Sequence, residues 1–142
     1  MVKRYLDEAL KALDDMIAMT EKDIDAIKLA RHEEIFARSA EKEARVADFE
    51  SAKERIDAAI VKQVEAAAGK ELEEILDEET KQKLGMMRER LEILQEHNRR
   101  FARLVVAVGD FYNALYEEML PVERDGYNGS VRKVPSLMEV RA

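Results

Sequence analysis

The two histidines are the first residues to test for chemistry, because imidazole is a common metal ligand and proton carrier in proteins. The run His32-Glu33-Glu34-Ile35-Phe36 begins like a zinc-protease helix but has no second histidine four residues on. A di-iron bundle needs a glutamate three residues before a histidine, and here Leu29 precedes His32 and Leu94 precedes His97. The chain also has no cysteine. We therefore predict no metal site.

Catalytic arrangements of other kinds are missing as well. Carboxylates are abundant, but no pair is marked out by its setting, and no nucleophilic triad is recognisable. Gly85 and Gly109 lie singly inside a predicted helix and form no phosphate-binding loop. The sequence predicts that this protein is not an enzyme and uses no cofactor.

The charge distribution argues against nucleic acid and anionic membranes as main partners. The net charge is −7, and the segment after Pro121 carries four basic and three acidic residues, which leaves −8 on the rest of the chain. No uncharged run exceeds six residues, so no membrane insertion is expected. The charged N-terminal residues do not resemble a signal peptide, and together with the absence of cysteine this predicts a cytoplasmic protein.

The stretch from Leu84 to Met119 is the element around which the rest must be arranged. Its apolar residues recur in alternating steps of three and four, with Asn98 the only polar residue in the series. Such a 3.5-residue repeat is typical of a helix that lies along partner helices. A helix of this length would extend roughly 54 Å. The repeat comprises Leu84, Met87, Leu91, Leu94, Asn98, Phe101, Val105, Val108, Tyr112, Leu115 and Met119.

Two shorter repeats precede it. The first runs through Leu6, Leu10, Leu13, Ile17, Thr20, Ile24 and Ile27, and it falters near 29–32, where we expect a turn and then a short helical piece. The second runs through Val46, Phe49, Lys53, Ile56, Ile60 and Val64 and stops at Gly69, while Asp77 is a plausible N-cap for the long helix. The predicted fold is all-α, an elongated antiparallel helical bundle or coiled coil of about three long helices over 1–120. A flexible C-terminal tail is expected over 121–142.

The far end of the long helix is the candidate binding site. The two shorter helices cannot cover all of it, so residues 101–119 should project or be covered by the 31–41 segment. An apolar stripe without cover is expected to bind the amphipathic helix of a partner protein, although a core role and a homodimer through the same face stay open. Asn98 either fixes the helix register or makes a polar contact to a bound helix. The predicted partner-binding residues are Asn98, Phe101, Leu104, Val105, Val108, Phe111, Tyr112, Leu115 and Met119.

The order of these features resembles the FlgN family of flagellar type III export chaperones. The resemblance covers most of the chain and rests on the break around Ala30-Arg31-His32-Glu33-Glu34-Ile35-Phe36, a second helix beginning near Lys42-Glu43, the stretch Leu94-Gln95-Glu96-His97-Asn98-Arg99-Arg100-Phe101 and the turn Tyr127-Asn128-Gly129.

That resemblance implies a cytoplasmic chaperone without enzymatic activity. Such proteins hold the terminal helical segments of hook–filament junction proteins unassembled and deliver them to the export gate. A tyrosine near the chaperone's C-terminus contributes to docking at the gate; by position Tyr127 matches best, with Tyr112 and Tyr116 as rivals. The alternative to this function is a structural homodimeric scaffold whose 101–119 stripe is permanently buried against a second copy.

Overall fold

A computed structural model describes residues 1–119, and these residues fold into four α-helices. They are α1 (Val2–Lys28), α2 (His32–Ala66), α3 (Leu72–Ile75) and α4 (Glu78–Met119). No strand occurs among the described residues. The predicted all-α class is therefore confirmed, while the expected tail of 121–142 lies outside the described residues.

The turn between α1 and α2 closes with paired backbone hydrogen bonds. The Arg31 N–H donates to the Ala26 carbonyl at 2.8 Å and the Ala30 N–H donates to the Ile27 carbonyl at 3.3 Å. This is the Schellman pattern, whose C′ residue adopts the left-handed conformation. Here that residue is Ala30, with φ of 59°. The break predicted near 29–32 is confirmed.

Helix α2 differs from the prediction. Instead of a short helical piece followed by a second helix, one helix runs without interruption from His32 to Ala66. Between Ile35 and Phe49 its less exposed positions are Arg38, Lys42 and Arg45, while the residues between them are exposed. These long side chains can cover apolar surface with their methylene stems and keep their charges near water. The helix therefore continues although its hydrophobic repeat disappears.

The register of α2 also differs in part from the sequence pattern. Phe49, Ile56 and Ile60 lie at least partly buried, as the predicted seam requires. Val46 and Val64 are exposed, and the small Ala52 takes the buried place that the pattern assigned to Lys53. An alanine there allows close approach of another helix, which a hydrophobicity pattern does not distinguish from a surface alanine.

The chain divides into two compact units, and the first comprises 1–19 with 38–95. Its core joins residues of α1 and α2, with Leu84 and Met87 of α4 packed against them. Asp7 accepts a hydrogen bond from Lys83 Nζ at 2.6 Å, and Asp14 accepts one from Arg90 Nε at 2.6 Å. Both pairs join residues 76 apart, so α1 and α4 run parallel here. The buried residues of this core are Val2, Leu6, Ala9, Ala52 and Ile56.

Asp77 caps the N-terminus of α4 within the first unit, as predicted. Its Oδ1 accepts a hydrogen bond from the Thr80 N–H at 2.8 Å, and its Oδ2 lies 2.9 Å from Lys3 Nζ. The Lys3 contact, followed by the Thr80 hydrogen bonds, lowers the pKa of the Asp77 carboxyl to about 2. The same contact raises the pKa of Lys3. One side chain thus joins the starts of α1 and α4.

The second unit comprises 20–37 and, within the described chain, 96–119. Its core again draws on three helices, with Ile24, Ala26 and Ile27 from α1, Ile35 from α2, and Phe101 and Val105 from α4. At its edge the Glu21 carboxylate lies 3.2 Å from His97 Nε2, and these residues are also 76 apart. This unit holds every described residue of the predicted binding site.

Candidate partner-binding face

The predicted binding residues of α4 fall into three groups by burial, and the first group is fully buried. Phe101 is 1% exposed and Val105 is completely buried. Both pack with Ile24, Ile27 and Ile35 in the core of the second unit. Their side chains therefore hold α4 against α1 and the start of α2, and a partner could reach them only if this core opened.

The second group forms the border of that core. Leu104, Val108 and Tyr112 are half-buried and pack against the same cluster. The Tyr112 ring stands edge-on to the His32 ring, with 6.2 Å between the centroids and 80° between the planes. This edge-to-face arrangement is a favourable aromatic geometry. The start of α2 thus contacts α4 as far as Tyr112 through His32 and Ile35, whereas the sequence predicted that 101–119 would either project or be covered by the 31–41 segment.

The third group is exposed. Phe111, Leu115 and Met119 are 61%, 41% and 72% exposed, respectively. Residues four apart lie on the same side of a helix, so these three side chains form one row along the last turns of the described α4. We call this row the distal face. Large apolar side chains in a contiguous exposed row are typical of a binding surface rather than of a solvated helix.

The charged side chains of the last turns of α4 are acidic. Arg103 is the last basic residue of α4, and Asp110, Glu117 and Glu118 follow it. All of the charged side chains between 104 and 119 are therefore acidic. In the helical register only Glu118 adjoins the row, whereas Asp110 and Glu117 fall on the opposite side of α4.

Several polar atoms of this unit are buried without a hydrogen-bond partner among the described residues. They are both ring nitrogens of His32 and the side-chain oxygens of Asn98 and Asn113. Asn98 is partly buried at its place in the predicted heptad repeat. Because its oxygen makes no hydrogen bond within the described chain, Asn98 is available for either of the two roles that the sequence left open.

Sequence periodicity gave little weight to Tyr116, which adjoins the distal face. Its side chain is exposed, next to Leu115 and close to the row. It falls outside the heptad repeat, and the resemblance offers it only as a rival docking tyrosine. The signal that could have found it is the density of aromatic residues at 111, 112 and 116. Tyr127, the preferred docking residue, lies outside the described residues.

The described part of the chain contains no metal-binding cluster. Within residues 1–119 no group of three or more histidine, aspartate or glutamate side chains is placed to hold a metal ion. The first unit has an open groove of about 470 Å³ lined by residues such as Val2, Gln63 and Thr80, without a convergent set of catalytic groups. No helix among the described residues has both the length and the apolar character to cross a membrane.

Comparison with known proteins gives no relative to guide the assignment. A scan of protein-family models, a search of curated proteins and a search of solved structures each return no match. The functional assignment therefore depends on the residues and geometry of this chain.

Proposed function

We propose that this protein is a cytoplasmic export chaperone of the FlgN type, which binds the terminal helical segments of hook–filament junction proteins and delivers them to the export gate. The observation that carries the proposal is the distal face, where Phe111, Leu115 and Met119 form an exposed apolar row on the helix that is held in the core by Phe101 and Val105. An amphipathic client helix can lay its apolar side on such a row. Binding would also cover surface that the client otherwise uses to assemble.

The proposed architecture is an elongated antiparallel bundle of three long helices. Support comes from each unit separately, since α1, α2 and α4 all contribute to the core of each one. In this arrangement the core fixes α4 through Phe101 and Val105, and the client contacts the residues that follow. Leu104, Val108 and Tyr112 would line the edge of the client site, and Asn98 would lie beyond its inner end.

The alternative function is a homodimeric scaffold that buries the distal face against a second copy. Such a scaffold would be a dimer in solution, whereas the chaperone would be a monomer until it binds a client. The net charge of −7 opposes the association of two chains.

Calorimetric titration with synthetic terminal helical segments of junction proteins tests the proposal. We expect one segment to bind per chain, and we expect Leu115→Asp to weaken binding by about tenfold or more, as for a central interface residue. Val61→Asp is the matched control, because Val61 is 52% exposed on α2 and belongs to the first unit. Equal affinity of both variants and the wild type, or no binding by the wild type, would exclude the proposed site.

A further inference from the structure

Three aromatic rings connect the start of α2 to the distal face. The Tyr112 ring contacts the other two. Its centroid lies 6.2 Å from that of His32, with the planes at 80°, and 5.8 Å from that of Phe111, with the planes at 54°. His32 is the first residue of α2, and Phe111 is the first residue of the distal face. We call these three side chains the ring series.

The contact between Phe111 and Tyr112 shows that the Phe111 ring has a definite orientation. Consecutive side chains leave an α-helix about 100° apart and do not ordinarily face each other. For the two centroids to lie 5.8 Å apart, the Phe111 ring must lean toward Tyr112. Leu115 projects about 40° from Phe111 in the same rotational sense, so the lean also brings the ring toward Leu115. This orientation therefore draws the first two side chains of the distal face together.

Tyr112 is held from two directions. Its side chain packs against the buried cluster of the second unit, and the His32 ring meets it edge to face. His32 in turn is placed by its backbone, because it follows the turn that the Arg31 N–H closes and precedes Ile35, which is 3% exposed in the same cluster. The turn between α1 and α2 thus sets the position of the ring that Tyr112 contacts.

The His32 ring acts through its shape rather than through hydrogen bonds. Both of its nitrogens are buried without a hydrogen-bond partner among residues 1–119. Burying an unpaired polar atom costs free energy, so the nitrogens do not explain why the ring lies here. What the ring does contact is Tyr112. A phenyl ring at this position should therefore make the same contact.

We infer that His32 is a positioning residue of the distal face. Its ring fixes Tyr112, and Tyr112 holds Phe111 in the orientation that a partner helix meets. A side chain that is already ordered costs less to immobilise on binding, which corresponds to roughly a threefold to tenfold gain in affinity. The turn between α1 and α2 thereby affects binding through α4. The effect on binding rests on the proposed function, whereas the orientation of Phe111 does not.

Nuclear magnetic resonance of the full chain tests the orientation without any partner. The measurements are the cross-relaxation between the Phe111 and Tyr112 rings and the couplings that report the Phe111 χ1 angle. In the wild type we expect ring-to-ring cross-relaxation and a single χ1 rotamer. His32→Ala should weaken the first and average the second, whereas His32→Phe should retain both. An averaged χ1 angle in the wild type overturns the inference, whether or not any variant folds.

His97→Ala is the matched control, because His97 is the other histidine of the chain and belongs to the same unit. It lies beside Glu21 and is not part of the ring series. We expect its Phe111 signals to match those of the wild type. If His32→Ala fails to fold, His32→Gln has similar length without a ring and should change the Phe111 signals in the same direction. Equal changes in the His32 variant and His97→Ala, or no change in either, overturn the positioning role.

Calorimetric titration with a junction segment supplies the second arm. His32→Ala should bind the segment roughly threefold to tenfold more weakly than the wild type, because Phe111 must then be ordered on binding. His32→Phe and His97→Ala should bind with the affinity of the wild type. A change in the Phe111 signals without weaker binding contradicts the effect on affinity.

The two proposals fail in different ways. A Phe111 ring that is ordered in the wild type and released in His32→Ala, in a chain that binds no junction segment, supports the positioning role and refutes the proposed function. Binding of junction segments at Leu115, with equal affinity in the wild type and His32→Ala, refutes the positioning role in binding and leaves the proposed function standing.

Discussion

The conformation of Ala30 is a local strain that a single substitution can remove. Alanine in the left-handed region places Cβ close to the following carbonyl, at a cost of roughly 1–2 kcal/mol that glycine avoids. Glycine loses part of this advantage through its greater freedom in the unfolded chain. We predict that Ala30→Gly raises the free energy of unfolding by about 1 kcal/mol, as measured by urea denaturation.

Ala58→Gly is the matched control for this prediction. Ala58 is exposed within α2, where the backbone is helical. Glycine in a helix interior is about 1 kcal/mol less favourable than alanine, so this variant should be destabilised. If both substitutions destabilise the protein equally, the left-handed turn at Ala30 is contradicted.

The ion pair of Asp77 with Lys3 predicts a specific acid sensitivity. The pKa of Asp77 is about 2 in the folded chain, against an ordinary value of 3.8. A carboxyl whose pKa is lowered by folding stabilises the protein fully above its ordinary value, and this contribution is lost as the pH falls through about 2. Asp77→Asn keeps an N-cap side chain but removes the charge. We expect it to be less stable than the wild type at neutral pH and to approach the wild type near pH 2.

A double-mutant cycle with Lys3→Gln isolates this interaction. With Lys3 replaced, Asp77→Asn should cost less at neutral pH, because the strongest partner of the carboxylate is already gone. Urea unfolding at several pH values provides the measurement. A difference between wild type and Asp77→Asn that stays constant with pH would contradict the assigned pairing.

At the scale of the helix, α4 changes role along its length, and two phenylalanines mark the change. Phe101 is 1% exposed in the core of the second unit, whereas Phe111 is 61% exposed on the distal face. Phe101→Ala should lower the free energy of unfolding by about 3–5 kcal/mol, because it removes a fully buried ring and leaves a cavity. Phe111→Ala should change it by less than about 0.5 kcal/mol.

The direct effect of these residues on binding affinity should have the opposite order from their effect on stability. Phe111→Ala is expected to weaken binding of a junction segment while the helical circular dichroism stays unchanged. Thermal or urea unfolding measures the effect on stability, and calorimetry measures the effect on binding. A strong loss of stability in Phe111→Ala would show that the distal face is part of the folded core.

The helices were predictable to different degrees, for reasons visible in their residues. The repeat of α1 holds, since Leu6, Leu13, Thr20, Ile24 and Ile27 are all buried. The early part of α2 was missed, because Arg38, Lys42 and Arg45 occupy its less exposed positions and carry no hydrophobic signal.

The alignment of α1 with α4 could not be predicted from the sequence, for a different reason. The carboxylates at 7, 14 and 21 and the basic side chains at 83, 90 and 97 recur every seven residues, but their pairing requires knowledge of how α1 and α4 align. Exposed ion pairs of this kind add little stability, so they help mainly to favour one register. The sequence gives the seven-residue period of the charges within each helix, but it does not give the offset between α1 and α4.

For the molecule as a whole, the sequence predicted a candidate site along 101–119 but not the different burial of its residues. The repeat through 101–119 assigned the same role to Phe101 and Phe111, because periodicity reports which side of a helix a residue lies on. Burial also depends on where the neighbouring helices end. Only the folded chain shows Phe101 and Val105 buried, Tyr112 at the border beside His32, and Leu115 and Met119 exposed.

The net charge of the chain bears on how this site would be used. A net charge of −7 opposes the association of two chains. The proposed function requires a chain that stays single until it binds a partner.

Light-scattering mass over a concentration series, with the chain alone and then with a junction segment added, tests this central claim most directly. We predict a mass of 16.3 kDa at every concentration for the wild type, Leu115→Asp and Val61→Asp alone. On addition of the segment at a concentration near its dissociation constant for the wild type, the wild type and Val61→Asp should gain mass, up to one segment per chain at saturation, and Leu115→Asp should gain much less. A wild-type mass of twice the chain, reduced to 16.3 kDa by Leu115→Asp alone, would show that a second copy occupies the distal face and would contradict the account.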